Sequence, residues 1–235
     1  MDAAAAQPRP RPLYTRLAFW AAFVGAIALL NYAARFTGAG GGSSKGVGHQ
    51  EVYSYSFFAG GTVVYAVWLG LVLLICIDRF DLLALRAPKG WGRALALGMY
   101  VIVAIFAWQY IVISQLPLPE SPAKEQGVTN VPWEPQHAGA FAANFILFAL
   151  IAPFVEELTF RGSGQSLLGF LGRWPSILLV GVAFGLAHGL LEALLVLVPF
   201  GIALAWLRDR TDSVYPGMLV HAFFNAAALV FIVVG

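Results

Sequence analysis

Long apolar runs dominate this sequence and limit what it can fold into. A helix needs about 20 apolar residues to cross the roughly 30 Å hydrocarbon core of a bilayer. Seven runs approach that length, and we predict membrane spans at about 17–36, 57–77, 94–114, 141–161, 174–190, 191–207 and 214–234. The predicted fold class is therefore all-α, a polytopic membrane bundle of about seven transmembrane helices.

The composition agrees with a protein that is embedded in lipid. Of its 235 residues, 60% are hydrophobic and 11% are charged, whereas soluble domains contain about 45–50% apolar and 25% charged residues. We expect contact with the lipid bilayer, and a net charge of +2 gives no reason to expect nucleic acid as a partner. The single cysteine, Cys76, permits no disulfide within the chain and indicates no compartment.

The basic residues predict how the spans are oriented. With the N-terminus in the cytoplasm, ten lysines and arginines fall on the cytoplasmic side and three on the other. The reverse orientation would invert this bias, contrary to the positive-inside rule. We predict a multi-pass protein with a cytoplasmic N-terminus, and the composition, rich in Ala, Gly and Arg, favours a bacterial inner (plasma) membrane.

Two long connections divide the chain. Residues 37–56 are rich in Gly and Ser and residues 115–138 contain five prolines, so both should be irregular loops. We predict a cytoplasmic tail at 1–16, a part with three spans at 17–140, and a core at 141–235 that carries the candidate site.

Two adjacent glutamates lie within the fourth span. A carboxylate in the middle of a bilayer costs about 2.5–3.5 kcal/mol, so an intramembrane acid indicates a functional site. Glu157 precedes Arg161 by four residues, which is the spacing and order of a favourable helical ion pair. Glu156 then points elsewhere and is free to act as a general base. The alternative is that both acids belong to one structural salt-bridge cluster.

Two histidines in other spans lie at depths that allow them to meet Glu156. We expect the fourth helix to run on to about residue 171, with a bend near Gly162 and Gly164, which places Glu156 roughly 22 Å from its cytoplasmic end. His188 lies roughly 20 Å into the fifth helix and His221 roughly 10 Å or more into the seventh. Helix tilt then permits the three side chains to converge.

Residues spaced by four accompany both histidines. His221 and Asn225 share a helix face, and both can donate hydrogen bonds to a developing oxyanion. The same pair could instead only bind neighbouring helices. Phe184 precedes His188 by four residues and Glu192 follows it by four. Glu192 could orient the imidazole, or it could lie in the turn before the sixth helix.

Three motifs in this order resemble those of the CPBP family, the CAAX-type and bacteriocin-processing (Abi) intramembrane endopeptidases. They are Glu156-Glu157-x-x-x-Arg161, Phe184-x-x-x-His188 and His221-x-x-x-Asn225. The Phe160-Arg161-Gly162 continuation and Pro216 also fit. The resemblance covers roughly residues 141–231. The first three spans resemble the family only in their hydrophobicity and approximate position.

The resemblance implies a glutamate-dependent peptidase. Glu156 would activate a water molecule together with His188, and His221 and Asn225 would stabilise the tetrahedral oxyanion. The substrate would be a membrane-anchored protein or peptide, cut near the cytoplasmic half of the bilayer.

The resemblance also implies roles for the other motif residues and raises the question of a metal. Glu157, Arg161 and Phe184 would support the site or position the substrate. We expect no cofactor, because the zinc-protease pattern HExxH is absent. A divalent metal would instead need a His₂Glu site with one open position, made by Glu156, His188 and His221.

Two other functions remain open at this point. The chain could be a non-catalytic membrane immunity or binding protein that retains the scaffold. It could also be a small transporter with the carboxylates as a proton relay, although it has no visible repeat of the kind from which many transporters are built.

Overall fold

The computed structural model describes residues 13–37, 49–119, 121–126 and 131–234. The predicted tail at 1–16 lies outside the described residues except for 13–16. Most of the predicted Gly- and Ser-rich loop lies outside them as well.

Seven main helices and no strand are found in the described part of the chain, which confirms an all-α polytopic bundle. They are α1 (Leu13–Thr37), α2 (Tyr55–Ile75), α3 (Trp91–Ile111), α4 (Pro135–Leu167), α5 (Arg173–Ala187), α6 (Leu194–Thr211) and α7 (Tyr215–Val234). Short helical turns lie between them at His49–Val52, Phe80–Leu83, Ile113–Gln115, Pro122–Glu125 and Gly169–Leu171.

Five of the seven helices, α1 to α4 and α7, are long and apolar enough to cross a membrane. The two helices between α4 and α7 are shorter or more polar: α5 has 15 residues, and α6 has 18 with Arg208 and Arg210 in its last turn. The protein is therefore an integral membrane protein in which α5 and α6 form a short hairpin.

Helix α4 carries the motif glutamates and is irregular on both sides of them. It runs on past the fourth predicted span to Leu167, as expected. Wide π-helical turns at Leu147–Ile151 and Leu158–Gly164 flank the regular segment Ala152–Glu157. Pro153 has no N–H and disrupts the hydrogen-bond ladder after the first wide turn, and such turns occur frequently at functional sites.

The α5–α6 hairpin brings its backbones together through small residues. A Cβ atom at Gly201 would lie 2.6 Å from the carbonyl oxygen of Gly181, so only glycine fits at this crossing. Small residues permit such close approach between membrane helices. One consequence is that the Gly201 carbonyl is within hydrogen-bonding distance of a side chain from α4.

Indole groups of α1 and α3 bind the backbone of later helices. Trp20 in α1 donates to the carbonyl oxygen of Thr159 at 2.8 Å. Trp108 in α3 donates to the carbonyl oxygen of Leu195 at 2.8 Å. In a regular helix this oxygen would accept from the residue four positions later, but Pro199 has no N–H. One hydrophobic core thus includes residues from both predicted parts of the chain.

Candidate active site

The two motif glutamates have different surroundings. Glu157 and Arg161 are fully buried, and the predicted ion pair is present, with Arg161 Nη1 2.8 Å from Glu157 Oε1. Arg161 Nη2 also donates to the carbonyl oxygen of Gly201 at 3.0 Å. Glu156 is 7% exposed and does not share this pairing. The structure therefore separates a buried structural acid from an acid at a cavity surface.

Glu156 is held by a residue of α2 that the sequence analysis did not select. The Tyr65 hydroxyl donates to Glu156 Oε1 at 3.0 Å. The second oxygen, Oε2, is 3.8 Å from His221 Nε2. A tyrosine in an apolar span gives no distinctive signal, because aromatic residues are common in membrane helices.

His221 joins the two acids. Its Nδ1 lies 3.0 Å from Glu157 Oε1, the oxygen that also accepts from Arg161. An ionised carboxylate can only accept hydrogen bonds, so Nδ1 carries the proton and Nε2 faces Glu156. His221 Nε2 can then donate to a substrate oxygen only when the imidazole is protonated, a condition that sequence spacing does not indicate.

His188 lies at the end of α5 rather than within a longer helix. The helix ends at Ala187, and Gly189 has φ +68°, which favours glycine. His188 Nδ1 lies 2.8 Å from the carbonyl oxygen of Phe184. This oxygen is an acceptor, so the proton is on Nδ1 and a neutral His188 keeps the lone pair on Nε2. The nearby Glu192 lies in the turn before α6 and pairs with Arg35 at 3.7 Å.

The Phe184 ring lies between the buried cation and both imidazoles. The guanidinium carbon of Arg161 is 4.3 Å from the ring centroid, a cation–π distance. The ring centroid is 4.7 Å from that of His188 and 5.6 Å from that of His221. Phe184 is fully buried and fixes the spacing of these three groups.

Asn225 has a structural hydrogen bond in addition to its place at the site. Its Nδ2 donates to the carbonyl oxygen of Phe148 at 2.9 Å. The Phe148 carbonyl lies in the first wide turn of α4 and lacks its usual helical donor. The N–H of Ala152 bonds to the carbonyl oxygen of Leu147, and Pro153 has no N–H. One N–H of Asn225 therefore binds a neighbouring helix, as the structural alternative expects. The side-chain amide has a second N–H in addition.

One cavity of about 260 Å³ is lined by all four predicted catalytic side chains: Glu156, His188, His221 and Asn225. Phe184 and Tyr65 also line it, whereas Glu157 and Arg161 lie behind its wall. The remaining walls are mostly apolar and include Phe148, Leu190, Leu197, Phe200, Phe224, Ala228, Leu229 and Ile232. A mostly apolar cavity with a few convergent polar groups is the usual composition of a small-molecule site.

The cavity extends toward the end of the bundle where α5 ends and α7 ends. From His221 to Ile232 it follows α7 for about 16 Å. At that end Gln126 lines the cavity, and the adjacent Glu125 accepts hydrogen bonds from the N–H groups of the α5–α6 turn. The predicted orientation puts this end of the cavity away from the cytoplasm, and the cut near the cytoplasmic half of the bilayer stays a prediction.

No set of three His, Cys, Asp or Glu side chains is arranged as a metal site among the residues that the structure describes. The three residues considered for zinc line the same cavity without forming such a set. In two of them, His188 and His221, Nδ1 is engaged with the protein, which leaves only Nε2 as a ligand atom.

Comparison with known proteins identifies similarity over the same part of the chain. Residues 138–227 match the family model described as type II CAAX prenyl endopeptidase Rce1-like. UPF0177 protein YaiF of Lactococcus lactis subsp. lactis (strain IL1403) is 30% identical over 92 residues, which are 39% of this chain and 41% of that protein. The chain thus spans less than half the length of this relative. No solved structure matches the chain.

Proposed function

We propose, from the match of residues 138–227 to the family model of type II CAAX prenyl endopeptidases, that this protein is an intramembrane endopeptidase. It hydrolyses a peptide bond of a membrane-anchored protein or peptide by means of activated water. The observation that carries the proposal is the convergence of Glu156, His188, His221 and Asn225, from α4, α5 and α7, on one cavity.

The first step is attack by water on the scissile carbonyl carbon. Glu156, with one oxygen held by Tyr65, accepts the water proton through its other oxygen. His188 presents the lone pair of Nε2 to the cavity and orients the same water by accepting a hydrogen bond from its second O–H, which stays on the oxygen. The oxygen–carbon bond forms, and the carbonyl electrons move onto the oxygen as a tetrahedral oxyanion.

The second step is collapse of the tetrahedral intermediate. The protonated His221, through Nε2–H, and the second N–H of Asn225 donate to the oxyanion. The carbon–nitrogen bond then breaks, and Glu156 returns its proton to the leaving amine. Neither of these two reaction steps requires a metal ion, and we propose a metal-free reaction.

Glu157, Arg161 and Phe184 support the catalytic groups without touching the substrate. Glu157 holds Nδ1 of His221 and is neutralised by Arg161. A carboxylate on the far nitrogen fixes the ring orientation and stabilises the imidazolium. The Phe184 ring sets the distance between Arg161 and both histidines.

The apolar walls favour a substrate segment with aliphatic or aromatic side chains, delivered from the bilayer. A prenyl group is not required by this lining. We propose the bacterial inner membrane as the location, in keeping with the positive-inside distribution of Lys and Arg.

The test is cleavage by the purified protein in liposomes. A farnesylated CAAX-type peptide and its unmodified counterpart serve as probes, beside a pool of apolar C-terminal peptides. Glu156→Gln, His188→Ala and His221→Ala should each lower the rate about 10²- to 10⁴-fold, the range for general acid–base groups. Glu192→Gln is the control, because Glu192 lies four residues after His188 but pairs with Arg35 and does not line the cavity, so this variant should cleave normally.

Two results would count against the proposal. Cleavage by Glu156→Gln at the wild-type rate excludes this carboxylate as the base. A cellular phenotype that survives Glu156→Gln but disappears when Ala228 in the cavity is enlarged to Phe would instead favour a binding or immunity protein.

A further inference from the structure

Two parallel hydrogen bonds join α2 to α4 at the catalytic carboxylate. Tyr65 donates to Glu156, and Trp68, three residues later, donates from Nε1 to Thr159 Oγ1 at 2.8 Å. Thr159 is likewise three residues after Glu156, so both bonds span the same separation of 91 residues. Equal spacing on two helices that run in the same direction fixes their register, because a shift of either helix would break both bonds together.

The Tyr65 ring is itself held in place. It stacks on the Trp68 ring, with centroids 5.6 Å apart and planes 14° apart. Phe23 of α1 packs edge-on against Trp68, with ring centroids 5.7 Å apart. Offset and edge-on contacts of this kind are the favourable arrangements of aromatic pairs. The hydroxyl of Tyr65 is therefore presented to Glu156 by a rigid aromatic cluster.

Glu156 depends on this hydroxyl for its position. Tyr65 is its one hydrogen-bond donor among the residues that the structure describes, since His221 Nε2 is 3.8 Å from the other oxygen. A glutamate side chain has three rotatable bonds and loses considerable rotamer freedom when it is ordered. Without the hydroxyl, Glu156 could rotate within the cavity, away from the point where one substrate can contact both His188 and His221.

We propose that Tyr65 is the positioning residue for the catalytic carboxylate, and that it works by fixing one oxygen so that the other faces the cavity. This inference rests on the proposed function. It assigns part of the active site to α2, which lies outside the matched residues 138–227. Tyr65 acts through Glu156, so it affects the rate of the chemical step more than the binding of substrate.

The experiment compares Tyr65→Phe with wild type in the liposome cleavage assay and measures kcat and KM separately. The substitution keeps the ring and its stacking and removes only the hydroxyl. Loss of a hydrogen bond to a charged group should lower kcat about 10- to 100-fold, with KM changed by less than about twofold. Tyr53→Phe is the matched control, because its hydroxyl donates to the carbonyl oxygen of Pro132 rather than to Glu156, and Tyr53 is not among the residues that line the cavity, so it should keep the wild-type kcat.

A double variant separates this inference from the proposed function. If Tyr65 acts through Glu156, then Tyr65→Phe should cause no further loss in a Glu156→Gln background, a non-additivity that marks a shared role. A normal kcat for Tyr65→Phe, together with inactive Glu156→Gln, overturns the inference and leaves the function standing. A parallel fall in thermal stability and kcat also overturns it, because the hydroxyl would then be structural. Full activity of Glu156→Gln overturns both.

Discussion

The buried pair of Glu157 and Arg161 allows a quantitative prediction. Both side chains have no exposed surface, and their charged atoms are 2.8 Å apart. Removing one partner of such a pair leaves an uncompensated charge in the interior and costs about 3–5 kcal/mol. Glu157→Gln and Arg161→Met each preserve approximate shape, so most of this cost should come from the remaining charge rather than from a cavity.

The double variant should recover most of the lost stability. With both charges absent, the remaining losses are the Arg161 bond to the Gly201 carbonyl and the contact over the Phe184 ring, together about 1–3 kcal/mol. Simple addition of the single variants would predict about 6–10 kcal/mol instead. The free energy of unfolding in detergent, measured by denaturant titration for all four proteins, gives the coupling directly.

A surface pair provides the comparison. Arg173 and Asp209 are 2.8 Å apart, but their side chains are 40% and 27% exposed. Arg173→Met and Asp209→Asn should each change stability by less than about 1 kcal/mol. Additive losses for Glu157→Gln and Arg161→Met, or a surface pair that costs as much as the buried one, would refute this effect of burial.

Three further predictions follow from other contacts. Gly217→Ala should disturb the site and lower activity, because its Cβ would lie 2.7 Å from Glu157 Oε2; wild-type cleavage by this variant would refute the close approach of α7. Treatment with EDTA should leave cleavage unchanged, and a loss that zinc restores would refute the metal-free reaction. Burial raises the pKa of the Glu125 carboxyl, but the N–H groups of Leu191 and Ala193, together with Glu192 and Arg35, outweigh this and hold the pKa below its ordinary value. The stabilisation it provides is therefore complete above its ordinary pKa of about 4.3 and is lost as the pH falls through the lower folded value. Amide hydrogen exchange at Leu191 and Ala193 should accelerate in that acidic range, and Glu125→Gln should exchange faster at neutral pH; equal exchange in both proteins would contradict this.

The local features of the site could be predicted from spacing alone. The Glu157–Arg161 pair and the extension of α4 beyond its predicted span follow from helical periodicity and from the position of the next helix breaker, both of which are properties of a short stretch of chain. The shared faces of Phe184 with His188 and of His221 with Asn225 follow for the same reason.

The contacts between helices could not be predicted in this way. Nothing within α2 indicates that Tyr65 faces Glu156, and nothing within α7 indicates that Asn225 binds the carbonyl left free before Pro153. The motif spacing predicts His221 beside Glu156 as an oxyanion donor, whereas the closest hydrogen bond of His221 is to Glu157.

The sequence by itself determined an all-α membrane bundle, the order of its motifs and the division of the two glutamates, because a hydrophobic run and a four-residue spacing need no partner to have an effect. Only the tertiary structure decided which side chains meet. The short α5, the glycine crossing of α5 with α6 and the aromatic cluster on α2 set the distances between helices, and these distances depend on packing between residues far apart in the chain. They place Glu156 against Tyr65 and direct the cavity toward the end of α7.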